Sequence, residues 1–239
     1  MRTTIVIVLI ILIAACQPEN DSPTASSGTL INVEQEIRTL NQTTERRWIE
    51  TETDGVRIGM WLPSGWAVDT SQGIIMAEHF TGVENGVPNP GMLVYIFVPP
   101  LDRFDLEINA EANAALHVLN QVVRMPTELG ANVAATSPVA FTWDELPAAY
   151  YLLTGTDGVR TLVMAVELED HGKLVVCNVS IPGSQASRIR ELLPRLLDDF
   201  RVNDLTLSGA GLNVLPNPLS FPRTDPSAML STEVAPSSP

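Results

Sequence analysis

Two cysteines and three histidines are the chain's whole supply of thiols and imidazoles. A catalytic thiol needs an electropositive, partly open setting. Cys177 instead lies in an alternating run with Val175, Val179 and Ile181 on its side. It reads as a core thiol, with a reactive thiol as the alternative. Ser64 stands in Pro63-Ser64-Gly65-Trp66, not in the Gly-x-Ser-x-Gly turn that exposes a nucleophilic serine. Metal chemistry needs clustered ligands, and no His-x-x-x-His or Cys-x-x-Cys spacing occurs. The best local set is Glu78 and His79 with Glu84 nearby. Glu167, Glu169, Asp170 and His171 read as a solvated hairpin end. Asp102, Asp105 and Glu107 offer oxygens to calcium but lack the EF-hand spacing and glycine. No phosphate-binding or dinucleotide glycine pattern is present. The sequence therefore names no catalytic residue, no metal site and no cofactor.

Cys16 is the residue whose surroundings do imply a reaction. Met1-Arg2-Thr3-Thr4 precedes an unbroken apolar run from Ile5 to Ile13, then Ala14, Ala15 and Cys16. That run is shorter than the ~20 residues that span a bilayer as a helix, and its layout is that of a secretory signal. Ile13-Ala14-Ala15-Cys16 resembles the bacterial lipobox. Its thiol accepts a diacylglyceryl group, and the small residues before it let a peptidase reach the backbone. The expectation is removal of residues 1–15 and a lipid on Cys16. Two or more acyl chains anchor stably where one does not. Ordinary signal cleavage after Ala15 is disfavoured by the bulk of Ile13, and an uncleaved anchor by the short run. The chain is thus expected on the outer side of the cytoplasmic membrane, in the cell envelope, held through Cys16.

The net charge of −14, with Lys173 the only lysine, repels phosphate backbones and excludes nucleic acid as a partner. With Cys16 acylated, Cys177 has no intramolecular partner, so no disulfide framework supports the fold.

The elements that follow divide the chain. Residues 16–47 read as a flexible tether, rich at first in Pro, Ser, Asn and Asp. A domain is expected over 48–202. It opens with a hairpin whose two-residue turn is Asp54-Gly55, since type I′ turns need positive φ at both positions. Strands follow at 73–80 and 92–98, separated by a long loop, 81–91. Long loops of this kind are often functional, so Glu84, Asn85 and Asn89 are candidate binding residues. Asn109 to Met125 reads as a helix stopped by Pro126. Strands are expected at 133–142, 148–154, 159–168 and 174–181. Ile189, Leu192, Leu193, Leu196, Leu197 and Phe200 then form the apolar stripe of a helix, with Pro194 expected to kink or divide it. Residues 203–239 carry prolines without hydrophobic period and read as a disordered tail. Trp48, Trp61, Trp66 and Trp143 are read mainly as core or core edge, with an aromatic binding patch as the alternative.

This order, with Met60-Trp61-Leu62-Pro63-Ser64-Gly65-Trp66 early and Leu196-Leu197-Asp198-Asp199-Phe200-Arg201-Val202 late, resembles the PsbP-like superfamily over about 48–202. The resemblance implies an α+β fold, an antiparallel β-sheet flanked by helices on both faces. It also implies a non-catalytic binding or assembly role. The motifs are a corner and a helix end, so they carry no functional residue across. The leading expectation is a membrane-anchored, extracytoplasmic module with a protein partner in the envelope. An enzyme of hydrolase type with a dispersed site, and a small-ligand or metal sensor, are the alternatives.

Overall fold

A computed structural model describes residues 46–78, 83–84, 87–88, 91–101, 104, 113–125, 133–155, 157–168 and 173–224. Cys16, Asn85, Asn89, His79 and most of the expected tether lie outside them.

The chain opens with β1 (Arg47–Thr53) and β2 (Val56–Leu62), paired antiparallel. Asp54 and Gly55 turn the hairpin with φ of 53° and 70°, the pair of left-handed residues that a type I′ turn requires. Val56, Ile58, Met60 and Leu62 point inward and are buried. β3 (Ala67–Asp69), β4 (Ile74–Ala77) and β7 (Leu93–Phe97) follow, with the short pair β5 (Val83–Glu84) and β6 (Val87–Pro88) between β4 and β7. Helix α1 (Ala114–Arg124) comes next. Then come β8 (Ala134–Ala135), β9 (Val139–Trp143), β10 (Leu146–Thr154), β11 (Val159–Leu168) and β12 (Lys173–Pro182). Helix α2 (Ser187–Leu196) leads into β13 (Phe200–Val202) and β14 (Leu205–Leu207).

These strands form a large antiparallel sheet in the order β3-β4-β7-β12-β11-β10-β8, with β9 also on β10. A smaller sheet has the order β1-β2-β13-β14. The α+β class expected from the sequence is the one observed. Period-two alternation sends the two faces of β12 into different cores. Val175, Cys177, Val179 and Ile181 join the main core with the inner face of the small sheet and with α2. Leu174 and Val176 join Ala114, Ala115, Val118 and Leu119 of α1 on the opposite face.

Asn113 caps α1, its side chain accepting from the Leu116 N–H at 2.8 Å. The helix expected from Asn109 is described from Ala114 onward, and Asn109 itself lies outside the described residues. The expected strand 133–142 is two strands. Thr136 leaves the ladder between them and, through its own N–H and Oγ1, satisfies Leu152 O (2.9 Å) and Leu152 N–H (3.0 Å). Pro138 follows with no N–H to give.

Helix α2 carries Ile189, Leu192, Leu193 and Leu196 into the main core, and it passes through Pro194 to Leu196. Phe200 belongs to β13, not to the helix, because Asp199 at φ 58° reverses the chain.

The largest departure concerns the C-terminus. The chain does not leave the fold at 202. β14 adds an edge to the small sheet, and a 3₁₀ segment over Gly209–Val214 closes the main core with Leu212 and Leu215. Leu219 and Phe221 pack against it, and Thr154 Oγ1 donates to Pro222 O at 2.6 Å. A strap without periodic hydrophobicity docks through a few isolated leucines and backbone carbonyls, which is why its composition reads as a tail. Residues 225–239 lie outside the described part.

Candidate functional site

The strand alternation that buries Ile58 and Met60 turns Arg57, Gly59 and Trp61 to the other face of the small sheet. Register then fixes what stands together there. Trp48 opposes Trp61, Glu50 opposes Gly59 and Glu52 opposes Arg57. Arg201 opposes Gly59 from the other side, and Thr206 opposes Arg201. One cross-strand row therefore reads Glu50, Gly59, Arg201, Thr206.

The row is built around Gly59. The Trp48 ring lies over it, and a Cβ there would stand 2.4 Å from Trp48 Cζ2. Trp48 meets Trp61 edge to face, with centroids 5.2 Å apart and planes at 74°. The Arg201 guanidinium lies 4.8 Å from the Trp48 ring centroid, a cation–π contact. Trp48 Nε1 reaches Glu50 Oε2 at 3.4 Å.

At the other end, the Arg57 N–H donates to Asn203 Oδ1 at 2.9 Å, and the Asn203 N–H donates to Arg57 O at 2.8 Å. Asn203 adopts φ 53° to make this turn. Arg57 and Asp204 approach to 3.4 Å, both well exposed, so the pair contributes little to stability. Glu50, Arg57, Gly59, Arg201, Asn203, Asp204 and Thr206 line an open groove of about 360 Å³. Aromatic rings at one end and mixed charges at the other suit surface recognition better than an enclosed reaction chamber.

The residues singled out in the sequence are not brought together. Glu84 is in β5, and Asn85 and Asn89 lie outside the described residues. Glu78 is committed to the fold. Its Oε1 accepts from buried Arg188 at 2.7 Å and its Oε2 from the Met92 N–H at 2.9 Å. Glu167 holds the start of α1, accepting from the Ala114 N–H at 2.9 Å. Asp102, Asp105, Glu107, Glu169, Asp170 and His171 lie outside the described residues. Among the described residues no three His, Cys, Asp or Glu side chains are grouped to hold a metal ion. Cys177 is buried, and burial pushes its thiol up to about 12. Among the described residues, one buried acceptor, Asn178 Oδ1, has no hydrogen-bond partner. It belongs to the large sheet between Tyr95 and Val163, apart from the small-sheet face.

The tryptophans divide. Trp143 is core, stacked on Phe200 at 5.7 Å with planes 9° apart, its Nε1 donating to Ser208 O at 2.8 Å. Trp66 packs at the core edge. Trp48 and Trp61 are half-buried on the outer face. The sequence reading did not separate these two from the others, nor connect them to Arg201. Outward parity along β1 and β2 was the signal that marks them.

No protein-family model matches the chain, and no curated protein matches it. Solved structures do resemble it. The cyanobacterial PsbP from Synechocystis sp. PCC 6803 is 13% identical, with 76% of this chain and 99% of that one covered, at a TM-score of 0.43. LpqN of Mycobacterium tuberculosis, described as involved in cell envelope biogenesis, is 10% identical over 73% of this chain and 99% of that one, at 0.44. The Ran-binding protein Mog1p of Saccharomyces cerevisiae is 14% identical over 68% and 97%, at 0.39.

Proposed function

We propose that this chain is a lipid-anchored, extracytoplasmic binding or assembly module of the cell envelope, without catalysis of its own. The anchoring half of this reading rests on Ile13-Ala14-Ala15-Cys16. The binding half rests on the outer face of the small sheet, where Trp48, Trp61, Arg201, Glu50 and Arg57 are presented together on paired strands. Elsewhere, the candidate catalytic groups within the described residues serve the fold: Glu78 clasps Arg188, Glu167 caps α1 and Cys177 fills the core.

The test uses the intact protein in its native membrane. Wild type should incorporate an alkynyl fatty acid and a Cys16→Ser variant should not. A photoreactive residue at position Thr206 should give one discrete adduct with an envelope component, and one at Asp157, in the β10–β11 turn, should give none. Unchanged labelling of Cys16→Ser removes the anchor. Loss of the Thr206 adduct removes the binding face.

A further inference from the structure

We infer that the free edge of β9 is a second binding surface, taking an extended segment of a partner protein as an added strand, apolar beside Val139 and basic beside Glu145. It stands independently of the lipid anchor and of the small-sheet face.

The edge is open. Among the described residues β9 pairs with β10 on one side and with no strand on the other. Its register decides which groups look outward. Trp143 and Leu146 close a two-residue turn, in which Asp144 and Glu145 have φ of 46° and 74°. The closing pair of such a turn exchanges both backbone bonds, and alternation then aims Phe141 and Val139 at β10 as well. The N–H and C=O of Ala140 and Thr142 are left facing away. Both residues are exposed, and among the described residues no hydrogen bond reaches those groups.

The edge is also unguarded. Native edge strands are commonly blunted by charge. β1 carries Arg47, Glu50 and Glu52, and β3 ends in Asp69. From Val133 to Trp143 no residue is charged, and Pro138 blunts only the entry to β9. Val139 is 48% exposed, and Phe141 on the same face of the strand is half-buried. A strand added here would bond to Ala140 and Thr142 and cover Val139 with its own apolar side chain, which is recognition by β-augmentation.

Charge names the occupant. The turn that ends β9 presents two carboxylates, Asp144 and Glu145. Asp144 Oδ2 accepts from the Ser208 N–H, and Glu145 is exposed. Glu145 holds a left-handed backbone that a glycine adopts without strain, as Gly55 does in the first hairpin. The net charge of −14 draws basic segments toward the chain. A second copy, paired about Phe141, would set Glu145 opposite uncharged Ser137 and bring together two bodies of like charge. A basic extended segment answers both the open ladder and the carboxylate.

The test uses the intact full chain in a neutral detergent. The probe is a labelled peptide of alternating Thr and Val with Lys at both ends, compared with the same peptide ending in Glu. Fluorescence anisotropy should show the Lys peptide binding about fivefold tighter, the worth of one exposed ion pair. Amide exchange at Ala140 and Thr142 should slow when it binds. Thr142→Pro removes an outward N–H at an edge, where proline is tolerated, and should weaken binding about tenfold. Glu145→Gly should weaken it about fivefold while raising the thermal midpoint, a pairing that a damaged fold cannot produce. Equal binding of the two peptides, unprotected amides at 140 and 142, or full binding by Glu145→Gly overturns the proposal. So does sedimentation of the unliganded chain as a dimer that Thr142→Pro converts to a monomer, since the occupant is then a second copy. If Thr142→Pro does not fold, the wild-type amide protection and Glu145→Gly decide the matter.

Discussion

Trp48 lies on Gly59. The indole crosses from β1 onto the backbone of β2, and a Cβ at 59 would stand 2.4 Å from Cζ2, 3.1 Å from Cε2 and 3.2 Å from Cη2. The glycine is the floor on which the outer face is assembled, since Trp48 in turn meets Trp61 and Arg201. Gly59→Ala should therefore overpack the site and cost roughly 1–3 kcal/mol in urea unfolding. In a Trp48→Ala background the same change should cost much less, because the clash is gone. Equal cost in both backgrounds would show that Gly59 is needed for something other than the ring above it.

Much of the fold was legible because its signals are local and repeated. Asp54-Gly55 announced its own turn, the β12 alternation announced a strand, and the α2 stripe announced a packed helix. The turn that joins β9 to β10 was less visible. Asp144 and Glu145 adopt φ of 46° and 74° there with no glycine to mark them. They are held in part from far along the chain, since the Ser208 N–H donates to Asp144 Oδ2. A bond between residues so distant in sequence leaves no trace in either neighbourhood.

The same distance hid the C-terminal strap. Leu212 is fully buried and Leu215 nearly so, yet neither belongs to a periodic run. The segment is fastened by bonds from other elements. Arg190 donates to Leu215 O at 3.3 Å and to Asn213 O at 3.2 Å, and Asp198 Oδ1 accepts from the Gly209 N–H at 3.3 Å. Gly209 lies so close to Pro194 O that a Cβ there would stand 1.6 Å from it. Leu212→Ala should thus behave as a core truncation and cost about 2–5 kcal/mol. A chain ending at Val202 should lose its cooperative thermal transition. A Leu212→Ala protein within about 0.5 kcal/mol of wild type, the range of ordinary surface changes, would return the strap to the status of a tail.

The candidate site was legible only in pieces. Four tryptophans were visible, but which two face outward depends on strand parity, and Arg201 joins them only because β13 pairs with β2. That pairing brings together residues from the two ends of the domain, which no local pattern encodes. Glu78 was singled out for its neighbour His79. Its described partners, Arg188 and the Met92 N–H, come from α2 and the approach to β7.

Cys177 offers a test of the core through pH. Its thiol is fully enclosed, and burial raises it from 9.0 to about 12. Tyr151, buried on the other face of the large sheet, is raised by the same cause. In the unfolded chain both groups give up protons earlier than in the native state. The native state thus binds more protons across that interval, and stability must fall as pH rises. The contribution from Cys177 is fully present below about pH 9 and is lost as pH climbs toward about 12. Thermal midpoints should decline across that interval, and Cys177→Ala should lower the midpoint at neutral pH while flattening part of the alkaline decline. Tyr151 supplies a slope that remains. The thiol should resist an aromatic disulfide reagent until the protein unfolds, with labelling that tracks denaturant-induced opening. Rapid labelling of the native protein at neutral pH would show that β12 opens locally and that the thiol is not sealed in the core.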